Sequence, residues 1–218
     1  MSPNTPRPFS PFSSGPGRPQ QRRSQETHAA LLRAADAGFS ADGWRGTSVE
    51  RVAAAAGTSV GSVYTRFGSK RDLLLAVVGE RLEEITGIVE TSEFSELLHN
   101  PVGGLRATVA LVVTRRRGAA GLLTAWSDAC IDHPEMRELE TGIRDSIVKQ
   151  LRDRLELLSA HPGIRSEINL DQLAIAVCAL IEGLHLPPWT ALSDDEATDI
   201  CSRLILHTCL RDEALPPG

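Results

Sequence analysis

Cysteine, aromatic side chains and long apolar runs are all scarce in these 218 residues. The four cysteines, Cys130, Cys178, Cys201 and Cys209, form no CxxC pair. Neither a disulfide scaffold nor a zinc-ligand spacing is therefore present. They are expected to be buried, reduced thiols, with Cys201 and Cys209 on one helical face. Aromatics make up 4% of the chain and β-branched runs are rare, while Ala and Leu abound. That balance disfavours a sandwich or barrel and favours helices packed on helices. The longest apolar run, Leu173 to Ile181, is closed by Gln172 and Glu182, far short of the roughly 20 residues of a membrane span. The first twenty residues hold Pro and Ser where a secretory signal would be apolar, so no such signal and no membrane partner are expected. The expected location is cytoplasmic.

Catalytic signatures are missing as well. His28, His99, His133, His161, His185 and His207 are scattered. None belongs to a nucleophile elbow, an HExxH pair or a phosphate-binding glycine loop. No enzyme activity, catalytic residue, metal ligand or cofactor is expected.

What the chain does have is an uneven charge. The net charge is −5. Up to Arg71, however, ten bases (Arg7, Arg18, Arg22, Arg23, Arg33, Arg45, Arg51, Arg66, Lys70, Arg71) face four acids, an excess of +6. The remainder carries −11. A basic amino-terminal part on an acidic body is the asymmetry of a protein that meets a polyanion with one end.

Residues 1–22 read as a basic tail rich in Pro and Ser that cannot offset its ordering entropy. Helical periodicity begins at Ser24, with Leu31, Leu32, Ala35 and Phe39 on one face, and Gly38 and Gly43 as its stop. Thr47-Ser48-Val49-Glu50 has the form of a capping box, opened by the Thr47 hydroxyl. Val49, Val52, Ala53 and Ala56 continue as a short amphipathic stripe that Gly57 ends. Ser59 is the expected N-cap of a third helix whose Val63 and Phe67 point inward. Gly68 closes that helix, and Ser69 and Asp72 cap a fourth through Leu73, Leu74, Ala76, Val77, Leu82 and Ile85.

Two short amphipathic helices cornered at a glycine describe a helix-turn-helix, whose second helix enters the major groove of DNA. Ser59, Gly61 and Ser62 are small enough for close approach to the groove floor. Tyr64, Thr65 and Arg66 supply donors, and Lys70 can neutralise a phosphate beside helix N–H groups.

The stretch from Thr47 to Lys70, with its T-S-V opening, Ala-Ala-Gly turn, G-S-V-Y centre and F-G-S-K followed by D-L-L, resembles the DNA-binding domain of the tetracycline-repressor (TetR) family of bacterial regulators. The resemblance spans about 60 residues, Gln25 to Glu84. It departs from the usual pattern at Thr58, Val60 and the Thr65-Arg66 pair. These positions tend to set base preference, so the operator sequence does not carry over. The resemblance implies DNA contacts from Thr47, Ser48, Thr58, Ser59, Val60, Gly61, Tyr64, Thr65, Arg66 and Lys70.

The acidic remainder reads as further helices. One starts near Pro101, with Leu105, Val109, Val112 and Val113 on its apolar side. Gly118 and Gly121 interrupt, and Leu122, Leu123, Trp126, Ala129 and Cys130 form the next stripe. After His133-Pro134 a long helix runs from Glu135 to about Leu158. A nearly all-apolar helix occupies about 171–186 and a last one about 194–210, the latter opened by Ser193 with Glu196. The fold class is thus all-α, with a three-helix DNA-binding domain (23–70) and a helical ligand-binding and dimerisation domain (71–218). The family resemblance further implies a homodimer through the last two helices on a palindromic operator. It also implies a small-molecule effector in a pocket that Val109, Val112, Leu122, Trp126, Ile131 and Met136 could line. The expected function is a ligand-inducible repressor. The alternative is a helical dimeric protein-interaction module with a vestigial DNA-binding domain.

Overall fold

The computed structural model of the chain describes residues 19–87, 100–159, 163–165 and 167–211. Residues 1–18 of the expected tail lie outside them. Apart from a single β-bridge between Ile164 and Leu210, regular structure among these residues is helical.

Helix α1 (Pro19–Gly46) bends at Gly43, where φ is 71° and ψ −176°, a backbone state that a Cβ would disfavour. The helix runs through Gly38 rather than ending there. A Cβ at Gly38 would sit 3.2 Å from Thr47 Cγ2, so this glycine makes room for the chain that returns after the bend. Arg22, expected in the tail, stands on this helix. α2 (Val49–Ala55) buries Val49, Val52 and Ala53. It ends in paired bonds from Gly57 N–H to the Ala54 carbonyl and from Thr58 N–H to the Ala53 carbonyl. This closure requires the positive φ of Gly57, which is 66°. α3 (Val60–Phe67) follows at once, buries Val63 and Phe67, and stops at Gly68, with φ 72°. α4 (Lys70–Gly87) completes the amino-terminal unit.

The body comprises α5 (Pro101–Gly118), α6 (Ala120–Asp132), α7 (Pro134–Ser159), α8 (Leu170–Gly183) and α9 (Asp194–Cys209). Asn100 caps α5 by accepting from Gly103 N–H at 3.0 Å. Ser193 and Glu196 form the expected reciprocal capping box on α9. All four cysteines are buried. Desolvation pushes the Cys130 and Cys209 thiols up to about 11, so both stay protonated near neutral pH.

Two hydrophobic clusters hold these helices. One runs from Leu31, Phe39 and Trp44 through Val63, Phe67 and Leu74 into Leu122, Trp126 and Met136, so the core is continuous from α1–α4 into α6. The other joins Val109, Val112 and Val113 of α5 to Leu173, Leu184, Ala197, Cys201 and Ile205. Gly121, expected as a break, lies in the first turn of α6. A Cβ there would meet the Ser40 carbonyl oxygen at 2.2 Å, so α1 and α6 touch backbone to backbone. The same junction carries a paired Arg45–Asp132 bridge, with contacts of 2.7 and 3.1 Å. The Trp44 and His133 rings also pack at right angles, with centroids 5.5 Å apart. Arg45 holds the Asp132 carboxyl below the usual carboxylate range, first through its hydrogen bond.

Arg117 closes the carboxy-terminal half. Its Nη1 donates to the Leu192 carbonyl at 2.9 Å and to Asp194 Oδ1 at 2.7 Å, and its Nη2 donates to the Trp189 carbonyl at 2.6 Å. Arg117→Met removes these donors from partly buried carbonyls and is expected to cost about 1–2 kcal/mol in denaturant unfolding. A midpoint equal to that of the native chain would refute this role.

Candidate nucleic-acid interface

The α2–α3 pair is fixed from three sides. Ser48, not Thr47, is the N-cap of α2, accepting from Arg51 N–H at 3.3 Å. The Thr47 hydroxyl instead donates to the Gly43 carbonyl at 2.8 Å, and the residue is 4% exposed. Thr47 therefore secures the bend after α1 and has no surface to offer DNA, contrary to expectation. Ser59 caps α3 as expected, accepting from Ser62 N–H at 3.2 Å. Phe67 stacks on His28 of α1 with ring centroids 5.0 Å apart, which anchors α3 to the first helix.

With Val63 and Phe67 turned inward, the opposite side of α3 is left exposed. Ser59, Gly61, Tyr64 and Thr65 lie there, and Ser48 and Thr58 are half-buried nearby. Tyr64, the only tyrosine of the chain, is 47% exposed despite its size. Val60, Thr65 and Arg66 also make contacts within the unit. Val60 packs against the first core cluster. Thr65 donates to the Gly61 carbonyl at 2.8 Å. The Arg66 guanidinium turns back onto Ser62, 2.6 Å from its hydroxyl.

Lys70 donates to the Trp44 carbonyl, and its ammonium lies 4.2 Å above the Trp44 ring. Burial there lowers its pKa. This seat is not legible in the sequence, because Trp44 is 26 residues away and comes near only through the bend at Gly43. An ammonium has three donors, and one goes to this carbonyl.

Behind this unit, residues of the second cluster line a partly open cavity of about 170 Å³ between α5, α7, α8 and α9, with Leu82 of α4 also in its wall. Val109 and Val112 are among the residues that line it. Trp126 lines an adjoining concavity together with Arg144, Glu182 and His185. The other three expected residues do not reach the cavity. Leu122 and Met136 are consumed in the first core cluster, where α6 meets α1. Ile131 is 66% exposed, on the outer side of α6. Burial lowers the His185 pKa, favouring the neutral ring.

Arg116, which the sequence pattern did not single out, lines both spaces. Its Nε is buried without an acceptor, and its Nη2 reaches the Glu182 carbonyl only at 3.5 Å. Desolvation is the main cause that lowers its pKa. A signal existed: Leu105, Val109, Val112 and Arg116 recur on one helical stripe, so the middle member of Arg115-Arg116-Arg117 falls on the apolar side.

No group of three His, Cys, Asp or Glu side chains among the described residues could hold a metal ion. No helix among them is long and apolar enough to cross a membrane. A glycine-cornered helix pair that presents a small-residue, tyrosine-bearing face defines a helix-turn-helix DNA-binding protein.

Comparison with known proteins extends this class to a family. Residues 31–77 match the family model for bacterial regulatory proteins of the tetR family. The chain is 26% identical over 184 residues to the HTH-type transcriptional regulator TtgR of Pseudomonas putida, covering 80% of this chain and 85% of TtgR. Its fold is similar to that of NalD, the secondary repressor of a multidrug efflux pump in Pseudomonas aeruginosa. That structure superposes with a TM-score of 0.63 at 22% identity, covering 87% of this chain and 98% of NalD. A structure of SmeT, repressor of a Stenotrophomonas maltophilia multidrug efflux pump, superposes at 0.65 with 20% identity, covering 89% and 96%. A SmeT–triclosan complex superposes at 0.69 with 19% identity, covering 88% and 95%. The match to the tetR-family model is confined to residues 31–77, and along most of its length the chain is similar to HTH-type transcriptional regulators: it is a DNA-binding transcriptional regulator and not an enzyme.

Proposed function

We propose that the chain is a dimeric repressor that covers a palindromic operator and leaves it when a small molecule fills the interior cavity. Residues 23–70 act as the DNA-binding unit and 71–218 as the effector and dimerisation body, in the cytoplasm. The observation that carries this reading is the exposed face of α3, held on a core that continues unbroken into the helix beside the cavity. Ser59, Gly61, Tyr64 and Thr65 meet the groove. Ser48, Thr58 and the remaining donors of Lys70 serve the flanking phosphates and base edges. Arg66 joins them by leaving Ser62.

Dimerisation is supported by large apolar side chains left open on the last helices, Ile175 of α8 and Ile200 and Leu204 of α9. Two copies related by a two-fold axis place two recognition helices about one DNA turn apart. NalD and SmeT are described as repressors of efflux pumps, and SmeT has been captured with triclosan. These likenesses favour repression and a small apolar effector. The effector lowers operator affinity by its preference for the low-affinity arrangement of the two α3 helices.

Selection from random DNA tests the reading, and a recovered palindrome with a fixed half-site spacing is expected. On that sequence Tyr64→Ala should weaken binding about tenfold, on the order of 1–3 kcal/mol for one base-edge contact. Recovery of unrelated sequences, or equal affinity for the alanine variant, counts against it.

A further inference from the structure

The geometry points to an amphipathic organic acid as the ligand of the interior cavity, its carboxylate accepting from the Nε and Nη2 edge of Arg116 and its apolar part lying among Val109, Val112, Leu151, Val177 and Ile181. This inference rests on the reading of the cavity as an effector site, and deepens it by fixing the ligand's chemistry.

The wall of the cavity is mostly aliphatic, with Thr108, Gln150, Arg154 and Glu182 among its polar members, and Arg116 stands in it with a buried Nε that has no acceptor. The Glu182 carboxylate, whose charge acts on Arg116, is already taken by Arg144 at 2.8 Å. Arg116 obtains only the Glu182 carbonyl, at the outer limit of a hydrogen bond. A carboxylate is the group whose two oxygens match adjacent guanidinium donors, and it brings the charge that a buried cation lacks. Arg117, the next residue, also has a buried Nε without an acceptor, yet its other donors are satisfied by Leu192, Trp189 and Asp194 and it does not line the cavity.

Other ligand classes fit less well. Among the described residues no aromatic side chain lines this cavity, so a cationic ligand would find no ring there to sit over. It would also face the Arg116 guanidinium, and among the described lining residues Glu182 is the one acid. A pure hydrocarbon would fill the space and leave the Arg116 edge unpaired.

Calorimetric titration of the full chain with octanoate, octan-1-ol and octylammonium at neutral pH tests the inference. Octanoate is expected to bind at least about tenfold more tightly than octan-1-ol, and octylammonium most weakly. In Arg116→Met this preference should collapse to parity while octan-1-ol binding persists. Arg116→Lys should retain part of it. Octan-1-ol binding as tightly as octanoate to the native chain would overturn the acid preference and leave the cavity reading intact. An unchanged preference in Arg116→Met would overturn the role of Arg116. Failure of all three compounds to bind would overturn the effector reading itself, with this inference.

Discussion

Gly121→Ala is expected to lower the melting temperature by roughly 6–12 °C, the shift that about 3 kcal/mol produces in a chain of this size. The added carbon would stand 2.2 Å from the Ser40 carbonyl oxygen and 2.9 Å from Ser40 C and Cα. All three are backbone atoms, so no side-chain rotation relieves the overlap. To restore ordinary contact, α1 must move off α6 by roughly an ångström, at the cost typical of overpacked cores. That movement strains the Arg45–Asp132 bridge and the Trp44–His133 contact beside it. Because α1 carries the α2–α3 pair through Phe67 and His28, operator affinity should fall even where the variant remains folded. Scanning calorimetry and operator titration below the transition measure the two effects separately. A melting temperature within about 2 °C of the native value, less than 1 kcal/mol produces, would show that α1 and α6 are not held as described.

The second large effect belongs to the open face of α9. Ile200 and Leu204 are 39% and 54% exposed and lie one turn apart. Replacing both by glutamate should cost the isolated protomer little, since neither is a core residue. In a dimer built on this face the same change buries two unpaired charges per subunit. Sedimentation equilibrium should then show a monomer with native helical content. Operator affinity should fall by about 10²-fold or more, because the second recognition helix no longer binds as a tethered partner. A variant that remains dimeric would move the interface elsewhere. One that becomes monomeric yet keeps its operator affinity would remove the need for two-fold recognition.

The helix pair is legible in the sequence because its determinants are local. The turn needs a residue that tolerates positive φ between α2 and α3, and Gly57 supplies it. The inward face of α3 needs apolar residues four apart, and Val63 and Phe67 supply them. Helix starts are equally readable at Ser59, at Pro101 behind Asn100, and at Ser193 with Glu196, since a cap acts within three residues. The first cap falls one residue later than the Thr47 opening suggests. Both Thr47 and Ser48 can accept from a helix N–H, and packing against Gly38 withdraws Thr47 from that role.

The pocket is the least legible part. Leu122, Met136 and Val109 look alike in a periodic pattern, but the pattern does not name the helix that each face meets. The backbone contact at Gly121 sends the buried side of α6 toward α1, so Leu122 and Met136 become core. The cavity forms instead where α5, α7, α8 and α9 leave a space. Arg116 resembles one of three solvated arginines, although its register places it with Val109 and Val112.

Sequence alone therefore determined the all-helical class, the approximate helix boundaries, the glycine corner and the DNA-binding character of the helix pair, because each is written in residues a few positions apart. Only the tertiary structure decided which arginine lines the cavity, where that cavity lies, what holds Lys70 and how the DNA-binding unit is joined to the body. Those outcomes depend on pairs such as Gly121 with Ser40, Trp44 with Lys70 and Arg116 with Glu182. Their meeting is set by how the helices pack, and no local propensity encodes it.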